Sequence, residues 1–395
     1  MKVLITNHAL DRRAGTELYV RDLALGLLKA GHAPICFSPV LGEVAREISA
    51  AGIDVRDDLS DLDAPDIIHA HHHPSAALAL SAFPRTPALY VCHGVKPWQE
   101  APLAQFPNIR RYVAVDEPCR QFLVNEHGIP ASQVELILNG VDLVRFAHDQ
   151  PARDEPARRT RALLISNIAR PEDAEPFRQA CRQNGFDLDI AGANTRVMDR
   201  PETGFPQYGL VFAKARAALE AMASGCAVIL ADYGYTGARV TGAGFDDLRT
   251  ANFGFSVIDQ LPDAARLAEA IAGIDWDDAA CVTRKVRATT GFAEIVETYV
   301  ALYRDLMSGG PVEQSDPADA MRAYLAAIMP QLAERDELAG KFYHEVSARL
   351  VRDQSLASLI AAVSQDPARW PDLLRAAQRL DPASPDILEK LSKRP

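Results

Sequence analysis

From Met1 to Met307, short apolar runs alternate with longer stretches whose apolar positions recur every three or four residues. This is the pattern of buried strands alternating with helices that cover a parallel sheet. Val3–Thr6 reads as the first strand, Asn7–Thr16 as a polar loop containing Ala14-Gly15-Thr16, and Glu17–Ala30 as an amphipathic helix closed by Gly31. The alternation continues through Ala33–Ser38, Gly42–Ala51, Asp66–Ala70, Ala88–Cys92 and Tyr112–Val115. A helix is expected over Asp116–Glu126, and Val134–Asp142 reads as a strand ending in an Asn139-Gly140 turn. Repetition of this kind predicts a doubly wound α/β domain, in which ligands gather at the carboxyl ends of the strands.

After Phe146 the composition changes. His148–Arg161 is rich in Pro, Arg, Asp and Glu and reads as a solvated hinge. Strands and helices then resume: Ala162–Ser166, Glu175–Asn184, Leu188–Ala191, Leu210–Phe212, the helix Lys214–Ser224 stopped by Gly225, and the apolar run Cys226–Ala231. A glycine-rich segment, Tyr233–Gly244, is expected to bring backbone N–H groups near a ligand. Asp263–Ile274 and Val282–Met307 read as helices. The predicted organisation is a Rossmann-like domain over 1–147, a hinge over 148–161, a second Rossmann-like domain over 162–307 and, after the break Ser308–Pro317, an all-helical extension over 318–395. Within the extension, Leu374–Asp386 has a faint likeness to half a tetratricopeptide repeat, and one half-repeat does not make an array. The extension could serve a homodimer or a protein partner, or pack on the body.

Charge and cysteine usage narrow the class. A net charge of −11 argues against general binding to nucleic acid or to an anionic membrane. The six cysteines are scattered without metal-ligand spacing, which suits buried thiols in a reducing compartment. Met1–Thr6 reads as a strand rather than a signal peptide, and no run approaches the ~20 apolar residues of a membrane span. A cytoplasmic protein is expected, with a peripheral place on the inner membrane face left open.

Three places carry candidate chemistry. His69-Ala-His-His-His73 closes the strand around Ile68, and continued extension would put His69, His71 and His73 on one face. With no carboxylate or cysteine at ligand spacing, the cluster fits a polar cleft lining better than a metal site. His93 follows the strand Leu89–Cys92 and precedes Gly94, so its ring is expected where strand meets cleft. The helix Lys214–Ser224 begins with two cations, Lys214 and Arg216, where the helix dipole disfavours them, which suggests an anion beside them. Glu220, an acceptor-only group, suits sugar or ribose hydroxyls.

The order of motifs resembles the retaining GT-B glycosyltransferases of family 4. The likeness rests on Ala14-Gly-Thr-Glu17, Asp66-Ile-Ile-His-Ala-His71, Val91-Cys-His-Gly94, Leu138-Asn-Gly-Val-Asp142 with Arg145-Phe146, and Ala218-Leu-Glu-Ala-Met-Ala-Ser-Gly225. It covers roughly residues 1–307. The resemblance implies a UDP- or GDP-sugar donor held mainly by the second domain, an acceptor held mainly by the first, and transfer with retention and without a metal or other cofactor. It implies that Glu220 holds the nucleotide ribose and that His93 lies near the donor sugar. Gly15 and Thr16 would lie beside the donor phosphates, with Asn139 and Gly140 lining the cleft, and Val282–Met307 would cross back to the first domain.

The departures are specific. The earlier glutamate of the family's pair falls at Phe212, and the Arg and Lys expected after the second domain's first strand are replaced by Ser166-Asn-Ile-Ala-Arg170-Pro. Charge and placement make Arg170 and Lys214, with Arg216, the replacement cations for a leaving diphosphate. His69, His71 and Trp98 are assigned to the acceptor side, the tryptophan as a stacking face for a sugar. Two other classes compete with this reading. A non-catalytic GT-B scaffold or transferase subunit draws support from Phe212 and the extension. A nicotinamide-dependent oxidoreductase is disfavoured because neither domain carries the three-glycine fingerprint followed by a ribose-binding acid.

Overall fold

The structure is a computed structural model that describes residues 1–147, 158–167, 171–192, 195–232, 234–310, 312, 316–338 and 341. Its first sheet contains β1 (Lys2–Thr6), β2 (Ala33–Phe37), β3 (Asp54–Arg56), β4 (Ile67–His71), β5 (Ala88–Cys92), β6 (Ile109–Ala114) and β7 (Val134–Leu136), in the order β3-β2-β1-β4-β5-β6-β7. All its pairings are parallel. The helices between these strands are α1 (Gly15–Lys29), α2 (Glu43–Ala50), α3 (His73–Ala82) and α4 (Glu117–Gln121). β4 and β5 are buried along their whole length, because helices cover both faces of a parallel sheet. Strand order reverses between β1 and β4, and the loops leaving those two strands flank the crevice that such a reversal opens.

The second sheet runs β12-β11-β10-β8-β9, from β8 (Arg161–Ile165), β9 (Asp187–Ala191), β10 (Leu210–Ala213), β11 (Ala227–Asp232) and β12 (Tyr235–Arg239). Its helices are α5 (Glu175–Gln183), α6 (Pro201–Gly204), α7 (Ala215–Ala223), α8 (Phe245–Thr250), α9 (Ala264–Ala272) and α10 (Trp276–Thr289). One face of the sheet, with Val211 and Ala213, packs on α7 and α10. The other face, with Leu210 and Phe212, packs on α5 and α9. Here the order reverses between β8 and β10, so Lys214, just past β10, sits at the second crevice.

Two expectations change. Within the glycine-rich Tyr233–Gly244 segment, Tyr235–Arg239 forms a strand, β12, antiparallel on the edge of β11. Its Gly237 is demanded by packing, since a Cβ there would lie 2.2 Å from the Val257 carbonyl oxygen. The helix expected over Val282–Met307 is broken at Thr290-Gly291, and α11 (Phe292–Ser308) starts anew. The break frees backbone groups for the first domain: Val141 N–H donates to Thr290 O at 2.9 Å and Phe292 N–H donates to Val141 O at 2.9 Å. α11 then packs along α1 of the first domain, with the Tyr19 hydroxyl 2.9 Å from that of Tyr299.

The chain forms two compact units, Met1–Met321 and Arg322–Pro395. Both sheets belong to the first, so the boundary lies slightly beyond the break read from sequence. Residues 317–338 are helical, and no described helix is long and apolar enough to cross a membrane. Leu374–Asp386 and most of the hinge, 148–157, lie outside the described residues. None of the six cysteines is in a disulfide, and Cys281 is exposed while the others are buried.

Candidate functional site

The histidine run is divided by a turn. His69 and His71 share a face of β4, with ring centroids 4.7 Å apart. His72 then takes a left-handed conformation (φ 55°) and His73 opens α3. The expected common face therefore stops at His71. The His73 ring packs edge-on against Trp98, at 4.3 Å between centroids, so the tryptophan is half-buried on the same domain. His69 and His71 are both fully buried. His69 Nδ1 is 2.5 Å from the Tyr303 hydroxyl of α11, and His71 Nδ1 is 2.8 Å from His93 Nε2. α11 covers them, so in this structure neither offers surface to an acceptor.

His93 emerges at the end of β5 as expected and is half-buried, stacked on His71 and edge-on to Tyr19 at 4.7 Å. Its backbone N–H donates to Glu100 Oε2 at 2.8 Å, while Glu100 Oε1 lies 3.3 Å from His72 Nε2. Burial pulls the His93 pKa down to about 4 against the opposing pull of Glu100, and burial also sets His69 and His71 well below the usual imidazole value. The three rings are therefore neutral at pH 7 and act as hydrogen-bonding groups, not as charges.

At the second crevice the connection between β10 and α7 is one residue, Lys214. The turn is tight enough to hold Ala215 at φ 47°, with its N–H donating to Phe253 O at 2.8 Å. Position 212 consequently lies inside the strand and not on a loop. Phe212 is fully buried, edge-on to Phe177 at 5.1 Å, where a glutamate would have no solvent and no ligand.

Both cations pair with carboxylates of the protein. Lys214 Nζ lies 3.2 Å from Asp232 Oδ2, and Asp232 is only 4% exposed and also accepts from Ser166. Arg216 Nε donates to Glu220 Oε1 at 2.7 Å, and its terminal nitrogen pairs with Asp22 on α1. Asp22 is shared with Arg21, and Arg21 reaches Glu47 at 2.9 Å. Glu220 is thus buried and engaged by Arg216 rather than presented free to a ribose.

Gly15 begins α1, and a Cβ added there would meet nothing within 4 Å, so the backbone beside it is open. The neighbouring Thr16 hydroxyl donates to Glu17 Oε2 at 3.1 Å. Asn139 and Gly140 do not line an open cleft. The Asn139 carbonyl accepts from Arg249, and a Cβ on Gly140 would lie 2.4 Å from Ile295 Cδ1 and 2.7 Å from Thr290 O, so this turn is the seat of the crossing chain. Arg170 lies outside the described residues. Among the described residues no cluster of three or more His, Cys, Asp or Glu is placed to hold a metal.

Sequence reasoning missed three residues here. Lys96, in the loop after β5, and Lys214 both stand over the ring of Phe255, at 5.5 Å and 4.2 Å from its centroid. They reach it from opposite domains, and Phe255 is 48% exposed. Arg249 is buried with Asn252 and Asn139 as partners and, among the described residues, no carboxylate; burial draws its pKa down to about 10. Nothing in the local sequence signals any of the three, since their neighbours come from distant segments.

Residues 13–145 match Glycosyltransferase Family 4. No curated protein matches the chain. The fold is shared with a glycosyltransferase from Rickettsia africae ESF-5, at a TM-score of 0.57 and 16% identity over 78% of this chain and 98% of that one. More distant are MurG of Acinetobacter baumannii (TM-score 0.48, 12% identity, 77% and 99% covered) and the catalytic domain of Starch Synthase IV from Arabidopsis thaliana bound to ADP and acarbose (0.48, 13%, 78% and 99%). The architecture is accordingly GT-B: two Rossmann-like sheets, joined by a chain that returns from the second to the first.

Proposed function

We propose that this protein is a glycosyltransferase that moves a sugar from a UDP- or GDP-sugar to an acceptor, with retention of configuration and without a metal. The observation that carries the reading is the contact of α1 with α7: Asp22, two turns into the helix that Gly15 opens, pairs with Arg216 in the first turn of α7, and the Family 4 match covers residues 13–145. A diphosphate leaving group gains negative charge as the glycosidic bond breaks, and Lys214 with the N–H groups at the start of α1 can stabilise it. His93, neutral and anchored by His71 and Glu100, would orient a donor-sugar hydroxyl rather than move a charged proton. In a front-face reaction the leaving phosphate itself takes the acceptor proton.

The test is a panel of nucleotide-sugars against thermal unfolding of the full chain. One of them is expected to raise the melting temperature, by about 3 kcal/mol of stabilisation at a hundredfold excess over its Kd. Glu220→Ala is expected to abolish the rise. Stabilisation by none of the panel sinks the reading.

A second reading, a GT-B protein kept as a scaffold or as a subunit of another transferase, is favoured by one feature. Glu220 and Arg216 satisfy each other and Asp22 without any ligand. Slow donor hydrolysis by the wild type that disappears in His93→Ala would exclude it.

A further inference from the structure

The loops that leave β1, β4 and β5 meet at the first crevice, and one side chain joins them. His72 lies between β4 and α3 and is 4% exposed. Its Nδ1 accepts from the backbone N–H of His8, just after β1, at 3.1 Å. A backbone N–H can only donate, so Nδ1 carries no proton and the ring's one N–H is on Nε2. Nε2 faces Glu100 Oε1, beyond β5, at 3.3 Å. Glu100 is 2% exposed, and its other oxygen takes the backbone N–H of His93 at 2.8 Å. The backbone is bent to allow this. His72 sits at φ 55°, on the left-handed side that a residue with a Cβ occupies at a cost. Its neighbours point elsewhere: His71 stacks on His93, and His73 packs on Trp98 in the short turn that carries Glu100. A glycine would take the same backbone without the cost, so what the strained position supports is the imidazole.

We propose that His72 is a positioning residue for sugar transfer: in its Nε2–H tautomer it joins the loops that leave β1, β4 and β5 and, through Glu100, fixes the backbone from which the His93 ring reaches the cleft. This rests on the transferase reading and names a residue that acts through another. The His93 ring is held from one side by His71, at 2.8 Å, and its backbone from the other by Glu100. Only His72 ties that second hold to the opposite wall of the crevice, where strand order reverses between β1 and β4. A group that orients a reacting sugar loses most of its effect when it is misplaced by about 1 Å, so a loop left to shift at Glu100 slows the reaction without removing any contact to the donor.

The experiment follows hydrolysis of UDP-glucose, UDP-galactose, UDP-N-acetylglucosamine and GDP-mannose by the full chain, well below its melting temperature. His72→Gly, which suits the backbone and deletes the ring, should lower kcat by about a hundredfold and leave the donor KM unchanged. Glu100→Gln should do the same, because an amide accepts at one end only and cannot receive both N–H groups. The double variant should be no worse than either single one, since the two residues act as one chain. Long-range proton–nitrogen spectra of histidine-labelled protein should show His72 as the Nε2–H tautomer, its signals identified by their loss in His72→Gly. Melting temperatures establish that the variants fold; should His72→Gly not fold, Glu100→Gln and the tautomer still decide. Wild-type kcat in a folded variant, a raised KM with kcat unchanged, additive losses in the double variant or an Nδ1–H tautomer each overturn the proposal. The two readings fail separately: hydrolysis that survives His72→Gly leaves the transferase standing and removes the positioning role. A wild-type chain that neither binds nor hydrolyses any of the four donors removes both.

Discussion

Arg216 at the first turn of α7 and Asp22 in α1 form an ion pair that ties the second domain to the first. Asp22 is 8% exposed and Arg216 also holds Glu220, so the pair sits in a chain of alternating charges that runs on to Arg21 and Glu47. Burial raises the cost of the Asp22 charge, and Arg216 and Arg21 outweigh it and hold its pKa below the usual carboxylate value. The same contact that joins the domains also occupies the residue expected to hold a ribose.

Removing one partner should leave the other buried and uncompensated. Arg216→Ala or Asp22→Ala is expected to cost about 3 kcal/mol of stability, and the double variant less than the sum of the two. Urea unfolding of the full double-mutant cycle measures the coupling; a coupling of zero would mean the pair does not hold the domains.

Acid should weaken the fold well above the pH where most carboxylates titrate. Burial lowers His73 and His93 to about 4, and it lowers His69 and His71 well below their ordinary value. The unfolded chain therefore binds these protons first, so their contribution is complete above about pH 6.5 and is lost as pH falls towards 4. Each imidazole can take up to about 1.4 kcal/mol per pH unit. Urea midpoints at pH 7, 6 and 5 should fall steeply, and less steeply in His71→Phe.

Placing at position 212 the glutamate that the Family 4 resemblance leads one to expect should unfold the protein. Phe212→Glu puts a carboxylate into the apolar layer of Phe177, Leu164 and Ile229, at an expected cost of more than about 3 kcal/mol. Phe212→Leu should cost about 1 kcal/mol. Soluble yield and melting temperature distinguish the two; a well-folded Phe212→Glu would contradict the buried placement of this strand position.

Gly140→Ala should disturb the crossing chain from the first domain's side. The new methyl meets Ile295 and the Thr290 carbonyl, and overpacking of this kind costs about 1–3 kcal/mol. Hydrogen exchange should rise at Val141 and Phe292, whose N–H groups make the crossing hydrogen bonds.

How much of this was legible in the sequence depends on where each residue's partners lie. β1, β5 and β11 are readable because burial on both faces makes them largely apolar runs, and α7 because its apolar spacing and Gly225 mark its face and its end. The break between α10 and α11 is not readable, because it is imposed by pairing with Val141 in the other domain. The turn at His72 follows from a left-handed backbone that the local sequence does not demand. The partners of Lys214 and Arg216, Asp232 and Asp22, are not readable either, because they are brought there by the fold.

The return of α11 has a consequence for synthesis. His69, Tyr19 and His71 belong to the first domain, yet they are sealed by Tyr299, Tyr303 and Phe292, which leave the ribosome only after the whole second sheet. The first sheet therefore emerges with a wet imidazole and tyrosine surface on α1 and β4 that its own sequence cannot close. It reaches its native state late, as the last long helix of the unit arrives, and a chain truncated before Phe292 should yield a loosened first half rather than an independent domain.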